Sequence, residues 1–122
     1  MGWLSNLLGG TTVAPVPLRS LDDFRTYVEG SDRPVILNVW SESCPPCRRL
    51  RPVLEKVSTQ YADRVGVVTV GSDAEHALLR SLGVRATPTL IVYDAGEEVG
   101  RMTGFRPKGW FDEMIQTEFP DG

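Results

Sequence analysis

Cysteine is scarce in this sequence of 122 residues: there are two, Cys44 and Cys47. A disulfide framework that staples a small secreted domain needs several separated pairs, so that class is excluded. Histidine is scarcer still, with His76 alone. A closed zinc site needs four ligands, which disfavours a metal centre, and His76 reads as a surface residue. No stretch approaches the roughly 18 uninterrupted apolar residues of a membrane span. No run of Lys and Arg forms the dense basic stripe that phosphate contacts require, and thirteen basic against sixteen acidic residues leave a net charge of -3. Neither nucleic acid nor a membrane is an expected partner. Met1 to Gly10 has no positively charged stretch ahead of its few leucines and does not read as a secretory signal. The expected compartment is the cytoplasm, with the periplasm as the alternative if a leader has been removed.

Apolar residues at 41% and charged residues at 24% match an ordinary globular protein rather than a disordered or fibrous one. The length suits one compact domain and is too short for two. Residues 1–15 hold Gly9, Gly10, Thr11, Thr12 and Pro15 without a sustained period, so they read as an extension ahead of a domain at 16–122. Trp3, Leu4, Leu7 and Leu8 are spaced for a short amphipathic turn, which is marginal without tertiary support. A monomer is expected.

Val16 to Leu18 suits a short strand, and Ser20 suits the N-cap of a helix bearing the Leu21, Phe24 and Val28 stripe. Gly30 to Arg33 break that helix. Val35 to Trp40 is a short apolar run rich in β-branched residues, as buried strands are. Leu50, Val53, Leu54, Val57 and Tyr61 then give the stripe of an amphipathic helix, with Pro52 inside it and a kink expected there. Val65 to Val70 reads as a strand, Ala74 to Leu82 as a helix ended by Gly83, and Thr89 to Tyr93 as a strand. Ala95-Gly96 signals a hairpin into Val99 to Thr103, and Pro107 suits the first turn of a final helix. The order reads βαβαββα. The fold class is α/β, a central mixed sheet with helices on both faces.

Cys44 and Cys47 fall between the buried strand and the first turn of the long helix, a placement typical of a redox motif. A thiolate attacks a disulfide, forms a mixed disulfide, and is released when a second thiol attacks it, so two thiols must sit close together. With Cys44 as N-cap, Pro45 and Pro46 occupy the first two helical positions, and Pro46 removes one possible donor to the sulfur. The Cys47 N–H and the helix dipole remain to stabilise the Cys44 thiolate. Cys44 is therefore expected to be the more exposed and more acidic thiol, and Cys47 the buried one.

The segment Asn38-Val-Trp40-Ser-Glu42-Ser-Cys44-Pro-Pro-Cys47-Arg48 closely resembles the active-site segment of the thioredoxin family. Pro52 stands where that family's active-site helix has its kinking proline. Gly83-Val-Arg85-Ala-Thr87-Pro88-Thr89 resembles the loop bearing its cis-proline, and Gly96 and Gly104 match its hairpin and groove glycines. The resemblance covers roughly Val16 to Phe119 and implies the thioredoxin fold. It also implies a substrate groove built from Trp40, Pro45, Thr87, Pro88 and Gly104. On the residues alone a trans Thr87-Pro88 bond is favoured, since cis bonds make up only about 5–6% of X-Pro pairs in folded proteins; the resemblance implies cis. Such a bond presents the Thr87 backbone to an extended substrate strand.

Three residues depart from the family pattern. Thioredoxins usually place a buried Asp where Asn38 stands, and its carboxylate helps deprotonate the resolving thiol; an amide cannot take a proton. Ser43 replaces a bulky aromatic and Pro45 a glycine. Glu42 is solvated by default, yet with Asn38 it is a candidate for moving protons near Cys47. Arg48, Arg49 and Arg51 read as a solvated helix face, with Arg48 adding positive potential near the thiolate.

A structural staple is a weak reading of the cysteines, since closing so short a loop contributes about 2 kcal/mol against about 3 for a fifteen-residue loop. The expected function is thiol–disulfide exchange, reducing protein disulfides through a Cys44 mixed disulfide that Cys47 resolves. It calls for no metal or organic cofactor, and for a reducing partner such as a thioredoxin reductase. The alternatives are a disulfide donor or isomerase, and a peptide-binding module whose cysteines are incidental.

Overall fold

The structure is a computed structural model and describes residues 12–120, so Trp3, Leu4, Leu7 and Leu8 lie outside the described residues. In chain order the elements are β1 (Val16–Pro17), α1 (Leu21–Phe24, continued by a π-helical turn over Arg25–Glu29), β2 (Val35–Trp40) and α2 (Pro45–Gln60). There follow β3 (Gly66–Gly71), α3 (His76–Leu82), β4 (Thr89–Asp94), β5 (Glu97–Thr103) and α4 (Lys108–Glu118). This is one strand–helix pair more than the expected order βαβαββα. The nine elements expected segment by segment are all present, so the short order omits one strand–helix pair already among them; β1 is a two-residue edge strand held by pairing with β3.

The sheet runs β1-β3-β2-β4-β5, with β1 and β3 parallel to β2 and β4 antiparallel to it. β2 is central, and its first five residues are buried because helices cover both faces. Val35, Leu37 and Val39 point to one side, where they pack with Leu18, Val28, Leu78 and Leu82. Ile36 points to the other and packs with Leu50, Leu54, Val57, Phe111 and Ile115 from α2 and α4. Burying each such side chain contributes about 1.5–3 kcal/mol, so α2 is anchored by its Leu50, Leu54 and Val57 stripe. By the period of two along a strand, Asn38 lies on the α2 side as well.

Local signals act as the residue chemistry requires. Ser20 caps α1, its Oγ accepting from the Asp23 N–H at 3.1 Å. The π-helical turn is closed by the Gly30 N–H donating to the Arg25 carbonyl at 2.8 Å, and it buries Val28 completely. Gly83 ends α3 at φ 63, a left-handed conformation that glycine adopts without a Cβ penalty. Helix α2 runs through Pro52 without interruption. Pro107 is the extended N-cap of α4, not part of its first turn as expected; its ring-fixed φ of -77 suits both positions, and helical backbone begins at Lys108. The end of α2 is tied to α4 where the Tyr61 hydroxyl donates to Asp112 Oδ1 at 2.6 Å. Lys108 and then Tyr61 hold the Asp112 carboxyl below its ordinary range by hydrogen bonding its charged form.

The hairpin between β4 and β5 turns on Ala95 and Gly96, at φ 55 and 81. Two residues with positive φ match a type I′ turn, where alanine is strained and asparagine is favoured. Ala95→Asn is therefore expected to stabilise the protein by about 0.5–1 kcal/mol in urea unfolding. An unchanged or lower unfolding midpoint would contradict strain at Ala95.

Candidate functional site

Register alone gathers the site. Val39 pairs with Thr89 across β2 and β4, and Thr89 pairs with Thr103 across β4 and β5. Trp40, Pro88 and Gly104, each one step along from that row, are thus brought to the same edge of the sheet. The Gly104 N–H donates to the Pro88 carbonyl at 2.8 Å, and Gly104 sits at φ 103, which disfavours any residue with a Cβ. The Thr87-Pro88 bond is cis and Pro88 is buried.

Past Trp40 the chain turns into α2, and Cys44 is its N-cap with extended backbone. The Cys47 N–H donates to Cys44 Sγ at 3.3 Å. Pro45 and Pro46 lack an N–H, so within the first three helical residues this is the only backbone donor available to the sulfur. The two cysteines form a disulfide with Cα atoms 5.2 Å apart. Each is only 5% exposed, which corrects the expectation that Cys44 is the more open of the two. The bond draws Cys44 Sγ over the first turn onto Cys47, so each sulfur covers the other. Pro45 is exposed beside them, and Trp40 is half-buried.

Two further residues enter that the sequence reading did not single out. Ser41 Oγ and Thr87 Oγ1 lie 2.9 Å apart, joining the end of β2 to the cis-proline loop across 46 positions of chain. No local pattern signals such a contact. The second is Glu55. A cleft of about 760 Å³ runs beside α2, with Asn38, Glu42, Cys47, Arg51, Glu55 and Thr69 among its walls. Cys47, Arg51 and Glu55 follow one another at i+4, a spacing visible in the sequence that places them on one helix face. Asn38 pairs with Thr69 in register, and its Oδ1 is buried with no hydrogen-bond partner among the described residues. The structure thus places Asn38, Glu42 and Glu55 in the walls of the cleft that Cys47 lines. His76 is exposed at the start of α3.

The Thioredoxin family profile matches residues 16–117. The chain belongs to the thioredoxin family. It is 31% identical to "Thioredoxin 1" of Nostoc sp. over 93 residues, which cover 76% of this chain and 87% of that protein. It is 35% identical to the thioredoxin of Haemophilus influenzae over 86 residues, covering 70% of this chain and 80% of the other. The solved structure of the Malassezia sympodialis thioredoxin Mala s 13 superposes with a TM-score of 0.74 at 28% identity, covering 85% and 90% of the two chains. A mutant thioredoxin from Halobacterium salinarum shares the fold, with a TM-score of 0.78 at 24% identity and coverage of 93% and 98%. With its Cys44–Cys47 disulfide at the head of α2, this thioredoxin-family protein is a thiol–disulfide oxidoreductase of the protein-disulfide reductase type. Among the described residues, no helix is long and apolar enough to cross a membrane, and no group of three or more His, Cys, Asp or Glu is placed to hold a metal ion.

The Ser41–Thr87 contact gives a direct check on how the groove is held. In a double-mutant cycle with Ser41→Ala and Thr87→Val, urea unfolding is expected to show a coupling of about 0.5–1.5 kcal/mol. Strict additivity of the two changes would show that the hydroxyls do not brace the loop.

Proposed function

We propose that Cys44 is the attacking thiol and Cys47 the resolving thiol in the reduction of protein disulfides, and that residues 1–15 form an extension to a catalytic domain at 16–122. The observation that carries the assignment is the Cys47 N–H directed at Cys44 Sγ, because a donor at a helix N-terminus stabilises a thiolate. The Cys44 thiolate attacks one sulfur of the substrate disulfide, a Cys44–substrate bond forms, and the other substrate sulfur leaves as a thiolate. Cys47, once deprotonated, attacks Cys44 Sγ and releases the second substrate thiolate. Two electrons pass to the substrate, and the protein is left with the Cys44–Cys47 disulfide. A reducing partner such as a thioredoxin reductase returns it to the dithiol. No resident cofactor takes part, and the protein works as a cytoplasmic monomer.

The substrate strand lies against Trp40, Pro45, Thr87, Pro88 and Gly104 in this reading, with the backbone around Pro88 supplying its partners. The proton on Cys47 leaves through the cleft. Asn38 cannot accept it, so solvent carries it toward Glu42 or Glu55, both of which line the cleft with Cys47.

Trapping tests the roles. Cys47→Ser is expected to accumulate mixed disulfides with substrate that Cys44→Ser does not, and in the reduced protein Cys44 is alkylated faster than Cys47 near neutral pH. Equal alkylation rates would contradict the assignment. Asn38→Asp is expected to speed the resolving step in stopped-flow reduction between about pH 6 and 9, while lowering stability in urea because a carboxyl enters the core. A variant that resolves no faster anywhere in that range would make Asn38 a packing residue.

A further inference from the structure

The chain carries a net charge of -3, yet the rim of the redox site is basic. Arg48 lies one turn beyond Cys44; its N–H bonds to the Cys44 carbonyl at 3.2 Å, and its guanidinium donates to the Glu42 carbonyl at 3.2 Å. Arg49 sets its guanidinium over the Phe105 ring, 4.9 Å from the centroid, which brings it against the segment that follows β5. In that segment Arg106 donates to the Phe105 carbonyl at 2.9 Å, faces the Trp110 ring at 5.9 Å, and approaches Gly104. Since Gly104 is bonded to Pro88, Arg49 and Arg106 stand on the groove's rim. Arg85 is exposed in the loop leading to Pro88, and Arg51 is exposed on the wall of the cleft beside Cys47.

None of these five arginines has a carboxylate within 4.0 Å among the described residues. The ion pairs there are Arg19–Asp73, Arg25–Asp22, Arg101–Glu98 and Lys108–Asp112. Glu42 and Glu55 are the acidic residues lining the cleft beside Cys47, while Glu98 and Asp112 on β5 and α4 are paired with Arg101 and Lys108. Unneutralised charge around a groove attracts an oppositely charged partner and raises its encounter rate. Arg49 and Arg106 are also held over aromatic rings, so each loses less freedom when it takes a carboxylate.

We infer that the preferred substrates are protein disulfides flanked by aspartate or glutamate, which this arginine rim attracts and orients. The inference rests on the reductase reading above and adds the class of substrate to it. Carboxylates beside the substrate disulfide form charge-assisted hydrogen bonds with the guanidiniums. The attraction weakens as salt shortens the Debye length below about 10 Å.

The test compares two disulfide peptides of one sequence, flanked by glutamate in the first and by lysine in the second, reduced by the dithiol protein at about 0.02 M and about 0.5 M salt. At low salt kcat/KM is expected to favour the glutamate peptide by about tenfold or more, and the ratio should shrink toward one at high salt. Arg49→Gln with Arg106→Gln should lower the ratio at low salt, while Arg49→Lys with Arg106→Lys should keep most of it. Equal rates for the two peptides, a preference for lysine, or a ratio untouched by the glutamine variant would overturn the inference. A neutral aromatic disulfide separates the two levels of the argument: if the wild type reduces it but shows no preference between the peptides, only the arginine rim fails. If the wild type does not reduce it either, the reductase reading fails and this inference with it.

Discussion

A single backbone donor organises the redox site. The Cys47 N–H reaches Cys44 Sγ at 3.3 Å because Cys44 is the N-cap of α2 and its backbone is extended. The contact places both sulfurs within one helical turn, where they can exchange a disulfide with a third sulfur. Its position in the molecule is fixed from beneath, by Leu50, Leu54 and Val57 packed against Ile36 and α4. Removing that stripe would free the helix from the sheet edge where Trp40, Pro88 and Gly104 meet. The hydrogen bonds Gly104 to Pro88 and Ser41 to Thr87 then hold the groove against the helix end.

Asn38, standing where the family resemblance implies a buried carboxyl, shapes the other side of the site. A buried carboxyl is either desolvated as an ion or kept protonated, and both are unfavourable. Asn38 avoids that, although its Oδ1 is left without a hydrogen-bond partner among the described residues. Asn38 shares its cleft with Cys47 and with the exposed carboxylates of Glu42 and Glu55.

Most of the fold was legible because its signals are local. The β-branched run Val35–Trp40 gave a central strand with the bounds seen, Ser20 gave a cap, and Gly83 and Ala95-Gly96 gave a helix end and a hairpin. The two cysteines and Thr87-Pro88 were legible through family resemblance, which outweighed the ordinary preference of X-Pro bonds for trans. Features that depend on tertiary packing were not. The π-helical turn at Arg25–Glu29, the contact between Ser41 and Thr87, and the equal burial of Cys44 and Cys47 each require knowing what lies alongside. Glu55 falls between these cases: its helical spacing from Cys47 was readable, but the cleft that makes the spacing matter is closed by Asn38 and Thr69 from the sheet.

Pro45 and Pro46 bear most directly on the redox poise. Thiolate stabilisation favours the dithiol form and makes the disulfide a stronger oxidant. By leaving only one N–H for the Cys44 sulfur within the first three helical residues, the proline pair limits that stabilisation, which acts in the direction of a more reducing couple. Equilibrium redox titration of the Cys44–Cys47 couple against a thiol buffer measures this. The account predicts a potential below about -200 mV, on the side of the roughly -270 mV typical of thioredoxin, whereas a value near about -120 mV, that of a strong disulfide donor, would contradict it.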